Sequence, residues 1–223
     1  MMTFTIRVRL SDRPGSLAAI AHALGQIGAN IVELDVLERS VDRAVDQLVV
    51  QAPGSIGDEV SAQLNALDGV VVESLRPTRR HAGLPPLGVA VRLGRASVHD
   101  VLQTLVDGVV VSFEGTWAAA VTERHPQAHV VAASVGAPSF VGLPTPWLPL
   151  RDVRRLQQGA WTPESWLRVG EPLELAAAPL RSSSQALLVC RPYGPRFAQR
   201  ELADLGMLAD LAVARMTEAP VPA

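Results

Sequence analysis

There is no lysine among the 223 residues of this chain, so all 20 of its basic side chains are arginine. A Schiff-base lysine and the lysine of a phosphate-binding P-loop are therefore excluded. Cysteine occurs once, at Cys190. That rules out an internal disulfide framework and a thiolate zinc cluster, and it fits a reducing cytoplasm. A net charge of −2 and a pI near 6.2 argue against nucleic acid as the main partner. No uncharged apolar stretch approaches the roughly 20 residues that span a bilayer. Arg7, Arg9, Asp12 and Arg13 interrupt the first apolar residues, where a secretory leader would need continuity. A cytoplasmic protein without a membrane partner is expected. Hydrophobic residues make up 48 % and charged residues 19 %, enough apolar material for a sizeable core. At roughly 100–200 residues per domain, the length fits two small domains or one large one. The arginine-only basic set also matches the codon bias of a GC-rich bacterium.

The first third alternates cleanly. Phe4, Ile6, Val8 and Leu10 are separated by Thr5, Arg7 and Arg9, the period of a half-buried strand. Ser11-Asp12-Arg13-Pro14-Gly15 breaks this pattern, with Pro suited to a first helical turn and Asp12 to the positive end of a helix. Leu17, Ile20, Leu24 and Ile27 follow at helical spacing until Gly28 stops them. Asn30–Glu38 reads as a second strand with Val32, Leu34 and Val36 on one face, and Ala44–Gln51 as a third returning after a polar turn. Pro53 and Gly54 end it. Ile56, Val60, Leu64 and Leu67 mark a second helix, Gly69 a stop, and Val70–Leu75 a fourth strand. The order β-α-β-β-α-β predicts a four-stranded antiparallel sheet with both helices on one face. Its free edges favour pairing with a second copy.

Arg76–Gly88 has three Pro, two Gly and three Arg without periodicity, and reads as a linker, extended here over 78–94. A second, mixed domain follows over 95–216. Val98, Val101, Leu102, Leu105, Val109 and Phe113 keep helical spacing up to Gly115. Trp117–Thr122 and His129–Val135 read as a hairpin. The segment 136–170 holds five prolines and Trp147, Trp161 and Trp166, with a short helix expected over Leu150–Gln158. Connections of this length tend to be functional or mobile. The tryptophans either line a pocket or cover the core. Strands over Leu173–Ala178 and Ala186–Arg191 precede a closing helix over Phe197–Met216, with Leu202, Leu205, Leu208, Ala209 and Ala212 inward. Residues 217–223 read as a frayed tail.

The run Asp12-Arg13-Pro14-Gly15-Ser16-Leu17, followed by Gly28-Ala29-Asn30-Ile31 within this element order, resembles the ACT domain family over residues 1–77. Members are small regulatory modules that bind amino acids, usually between two copies, and commonly regulate enzymes of amino acid metabolism. The closing stretch Leu187-Leu188-Val189-Cys190-Arg191-Pro192 and Phe197-Ala198-Gln199-Arg200-Glu201-Leu202 resembles a GAF domain. The signature of its cyclic-nucleotide-binding members contains a lysine and cannot occur here. Cys190, in an apolar strand, is a poor site for chromophore attachment. The resemblances imply an α+β chain: a ferredoxin-like βαββαβ ACT domain and a mixed α/β GAF-like domain.

A free amino acid needs an anion hole beside an acceptor. The backbone N–H groups of Gly15, Ser16 and Leu17 open a helix, where the dipole favours an anion. Gly15 lets a ligand approach without a Cβ in the way. Asp12 can take the ammonium, and Asn30, from the same or a neighbouring copy, can complete the clamp. The resemblance implies the same places, adding Arg13 and Ile31. Leu10, Leu17 and Ile31 tilt the preference toward an apolar ligand side chain. The same Asp-Arg-Pro-Gly run also suits an ordinary strand-to-helix turn. Catalytic alternatives are thin. His125 and His129 with Glu123 have metal-ligand spacing, but Pro126 interrupts them. Ser182-Ser183-Ser184 lacks a nucleophile elbow. No cofactor motif occurs. The expected protein is a non-enzymatic, homodimeric regulator that binds an amino acid and serves a partner enzyme or regulator. A docking module without a ligand is the alternative.

Overall fold

The computed structural model describes residues 1–53, 57–77, 86–124, 127–166, 173–182, 184–192 and 194–217. Gly54, Ile56, His125 and Ser183, all used in the sequence reading, lie outside the described residues. The chain forms two compact units and its fold class is α+β.

The first unit runs β1 (Met2–Ser11), α1 (Ser16–Gln26), β2 (Asn30–Arg39), β3 (Arg43–Ala52), α2 (Gly57–Asn65) and β4 (Val70–Pro77). The sheet order is β2-β3-β1-β4 with every neighbour antiparallel, the ferredoxin-like arrangement expected from the alternation. Phe4, Ile6, Val8 and Leu10 of β1, with Leu48 and Val50 of β3, turn to one face. They bury Ile20 and Leu24 of α1 and Val60 and Leu64 of α2. After each helix the chain turns through a left-handed glycine, Gly28 at φ 70° and Gly69 at φ 73°. β2 is an edge strand, and Val32, Leu34 and Val36 remain 40–47 % exposed along it.

The second unit runs α3 (Pro86–Arg95), α4 (Val101–Ser112), β5 (Trp117–Arg124), β6 (Gln127–Ala133), β7 (Arg154–Leu156), β8 (Leu173–Pro179), β9 (Gln185–Pro192) and α5 (Gln199–Thr217). Its antiparallel sheet has the order β6-β5-β9-β8-β7. The central strands are apolar on both sides because both faces are covered. Ala118, Ala120, Ala176, Leu187 and Val189 meet the helices. On the other face Ala119, Val121, Leu175, Leu188 and Cys190 lie under Phe140, Trp147 and Trp166. Arg191, at the end of β9, is 1 % exposed. Its guanidinium donates to Phe113 O (2.9 and 2.6 Å), Pro195 O (2.9 Å) and Glu201 Oε1 (2.6 Å), and stacks 4.2 Å from the Phe197 ring centre. One side chain thereby ties the carbonyl of Phe113, the C-cap residue of α4, to the first turn of α5.

Two expectations are corrected. The segment read as linker over 78–94 contains α3: Pro86 fits a first helical turn, and Val89 and Leu93, four apart, are fully buried. The helix expected over Leu150–Gln158 does not form. Arg154–Leu156 instead pairs with Ala177–Leu175, so a ladder offered by β8 outweighs a weak local preference.

α3 and α4 cross where Gly108 meets Val89, and a β-carbon at Gly108 would lie 2.6 Å from Val89 Cγ1. Alanine favours a helix interior over glycine by about 1 kcal/mol, but overpacking a buried, stiff valine costs about 1–3 kcal/mol. Gly108→Ala is therefore expected to lower the urea midpoint, and Val89→Ala in the same chain to recover part of the loss, as a non-additive double-mutant cycle.

Candidate functional site

β1 ends at Ser11, whose N–H donates to Gly69 O (3.1 Å), while Asp12 N–H donates to Asp42 O (3.0 Å). Arg13 N–H donates back to Ser11 O (3.0 Å), and Gly15 then takes a left-handed conformation at φ 93°. That φ strains any residue with a Cβ, so glycine sets the direction in which α1 leaves the sheet. The helix carries no side-chain cap, because its N-cap residue is Gly15, and Ser16 Oγ turns back and donates to Ser11 O (2.8 Å). Ser16 N–H donates to Arg13 O (3.2 Å) and Ala19 N–H to Gly15 O (3.0 Å). Among the described residues, the amides of Gly15, Leu17 and Ala18 meet no acceptor. Leu17, 40 % exposed, stands beside these open donors.

The charged residues of the turn are already engaged. Arg39 grips Asp12 with two prongs, Nε to Oδ2 at 2.5 Å and Nη2 to Oδ1 at 3.4 Å. Arg13 Nη2 meets Asp68 Oδ2 at 2.8 Å, an exposed pair of little energetic weight. Of the three amides expected to form an anion hole, that of Ser16 is thus occupied, and the Asp12 carboxylate is free only where Arg39 shares it. Leu10 is 3 % exposed and belongs to the core, which removes it from the expected apolar lining.

Asn30 is exposed and starts β2, in register with Gln51, which in turn pairs with Thr3. The turn follows Ser11, at the other end of β1. Thr3 to Ser11 is eight steps of strand, about 27 Å at roughly 3.4 Å per residue. Within one copy, Asn30 and the turn therefore do not meet. Ile31 is half-buried against the first unit's core, opposite Val50.

The expectation missed two residues at this end of the sheet, Arg39 and Asp46. Asp46 lies on the inward face of β3 between Val8 and Val36, 2 % exposed, and its Oδ1 has no partner among the described residues. Burial pushes its carboxyl above the ordinary range, nearby Asp12 adds to the rise and Arg39 offsets it. The signal was readable as an acid at an inward position of a period-2 pattern.

Cys190 is buried in β9, and burial pushes its thiol up to about 12, so it is no nucleophile near neutrality. Ser182 and Ser184 contact each other at 2.9 Å in an exposed turn. His129 is exposed, and no group of metal-ligating side chains converges among the described residues. No helix among them is long and apolar enough to cross a membrane.

No family model matches the chain, and no curated protein does. Among solved structures, it is similar to the GAF domain of an Acinetobacter phosphoenolpyruvate-protein phosphotransferase, at 16 % identity over 59 % of this chain and 89 % of that one, TM-score 0.45. It is similar also to the GAF domain of a provisionally assigned sensor histidine kinase from Pseudomonas syringae pv. tomato, at 11 % identity over 57 % and 79 %, TM-score 0.41. A provisionally assigned glycine cleavage system transcriptional repressor matches at 11 % identity over 94 % and 88 %, TM-score 0.31. With every one of these TM-scores below 0.5, the architecture above rests on this chain's own strand order and cores.

Folding raises the Asp46 pKa above its ordinary value of 3.8. Its contribution to stability is therefore fully present below that value and lost as pH rises through the folded value. Asp46→Asn is expected to be more stable than wild type at pH 7 by about 1 kcal/mol, since it removes a buried unpaired charge. Urea midpoints taken as a function of pH should show this gain shrinking as pH falls toward about 4.

Proposed function

We propose that this chain is a non-enzymatic regulatory protein whose first unit, an ACT-like module, binds an amino acid between two copies. The observation that carries the reading is the uncapped start of α1, where Gly15, Leu17 and Ala18 present open amides to an anion. Two further features support it. β2 is an edge strand with an exposed apolar stripe, Val32, Leu34 and Val36, the kind of edge that a second copy covers. A two-fold axis pairing β2 antiparallel with its counterpart also sets the Asn30 end of one copy against the Arg39 end of the other.

Arg39 holds Asp12, so Asn30 of the second copy reaches the turn that it cannot reach in its own chain. The ligand carboxylate takes the open amides. Its ammonium takes the outer face of the Asp12 carboxylate and the Asn30 side-chain oxygen. Exposed Leu17 accepts an apolar ligand side chain. Ordering this interface couples the ligand to a partner enzyme or regulator through the difference in affinity between two arrangements, typically 1–3 kcal/mol.

A thermal shift screen of the twenty amino acids tests the reading. A ligand present at about 100 times its Kd adds roughly 2.7 kcal/mol, a shift of several degrees. No shift at millimolar concentration with any of them would leave a docking module without ligand. For a responding amino acid, Asp12→Ala and Asn30→Ala are each expected to abolish binding while preserving the dimer. Mixing the two variants should restore it, because each mixed dimer keeps one site with an intact Asp12 and an intact Asn30. Random mixing of equal amounts then recovers about one-quarter of the wild-type sites by calorimetry. Equal binding by either single variant would place the ligand elsewhere.

A further inference from the structure

β7 is the last strand of the second unit's sheet and pairs with β8 on one side. Alternate residues of an antiparallel strand turn their N–H and C=O groups to opposite sides, so β7 carries main-chain groups that β8 cannot take. Among the described residues no other main chain takes them. A cavity of about 390 Å³ lies against this strand, lined by the unbroken run 154–157 and by Pro146, Trp147 and Trp161. Successive side chains of a strand point to opposite faces, so a space over one face does not touch four residues in a row. A space shared by all four lies along the edge.

Two hydrogen bonds anchor the aromatic wall to this run, one at each end. Arg154 Nη2 donates to Trp147 O (3.0 Å) and Trp161 Nε1 to Gln157 O (3.2 Å). The register with β8 sets the faces. Arg154 and Leu156 lie opposite Ala177 and Leu175, on the side of the sheet that Trp147 covers. Arg155 lies opposite Ala176, on the side of the helices. Over residues 151–157 three arginines, Arg151, Arg154 and Arg155, stand against one acid, Asp152. Arg155 makes no hydrogen bond among the described residues, and the half-buried acid it acts on, Glu174, is shared with Arg191 and Arg196. Such an edge rejects its own copy. Two β7 strands paired antiparallel about Arg155 would set that residue against its counterpart, and like charges directly opposite destabilise a pair. The same charges favour an added strand that is acidic.

We propose that the β7 edge docks an extended acidic segment of a partner protein, added to the sheet as a further strand. Its main chain takes the open groups of β7. Two consecutive carboxylates meet Arg154 on one face and Arg155 on the other, so the alternation of the arginines is what recognises them. The next residue, opposite Leu156, is apolar and shares its face with Trp147. Residues 154–157 span about 10 Å at roughly 3.4 Å per step, which sets the docked core at three or four residues. The cleft lies wholly within the second unit and makes no use of the amino acid site proposed above, so either can fail without the other.

The test follows the backbone amide resonances of the full, isotope-labelled chain during titration with the peptide Ser-Thr-Leu-Glu-Glu-Leu-Thr-Ser, whose symmetry serves either strand direction. Resonances of residues 154–157 are expected to shift. The Gln-Gln analogue should bind about tenfold more weakly, and the Lys-Lys analogue more weakly still. N-methyl groups placed one at a time along the four central residues should abolish binding at alternate positions and spare those between, the period of a strand hydrogen-bonded along one edge. Arg154→Gln and Arg155→Gln should each cost about threefold in affinity. Equal binding of the Gln-Gln analogue would remove charge from the recognition. Loss at every methylated position, or at none, would remove the added strand. Wild-type affinity in both arginine variants, or no resonance shifted at millimolar peptide, would overturn the proposal. The peptide series needs only the wild-type chain, so it decides even if a variant fails to fold.

Discussion

The antiparallel ladder through β2, β3 and β1 constrains everything the first unit can do. Ten successive pairs between β1 and β3 leave no slack in register, and one face of that ladder is the core. A slip by a single residue would turn Phe4, Ile6, Val8 and Leu10 outward, so burial itself fixes the alignment. The alignment in turn dictates where chemistry can happen: the start of β2 and the end of β1 are held at opposite ends of a rigid sheet. Anything that needs both must borrow one of them from another molecule. Dimerisation is thus a geometric requirement of the proposed clamp.

The second unit solves a different problem. Its sheet is buried on both faces, which explains strands such as Ala186–Cys190 that are apolar at every position. A buried cation in this core, Arg191, is supplied with carbonyl and carboxylate acceptors and a ring face, as a buried cation must be. Trp147 is the contrast. It has the burial of a core residue but not the satisfied hydrogen bond, a mismatch that Trp166 shares on the same face of the sheet.

Most elements of both units were legible from residue spacing. The alternation in β1, the left-handed glycines after α1 and α2, and the inward leucines of α5 each follow from a local rule that the fold obeys. The failures share a cause. α3 hid behind a run of Pro and Gly, because Pro86 signals a break to a pattern reader and a start to a helix. β7 is only three residues long and exists because β8 presents an open edge, a fact about tertiary pairing. At the site, residue types correctly singled out the turn but not its state. Nothing near Asp12 in sequence announces Arg39, 27 positions away, as the group that holds it. Asp46 was visible as a polar intruder in an apolar alternation, but its closeness to Asp12 follows only from the way β3 crosses the sheet.

The lone thiol has a practical consequence. With Cys190 sealed in the core and no lysine anywhere, the native surface is nearly silent toward thiol and amine reagents. A cysteine introduced at Val41, fully exposed in the tight bend between β2 and β3, would be a unique attachment point for a spin label or fluorophore. Each protomer would carry one such reporter at the same corner of its edge strand, so a dipolar or energy-transfer distance between two of them would measure how two copies are arranged.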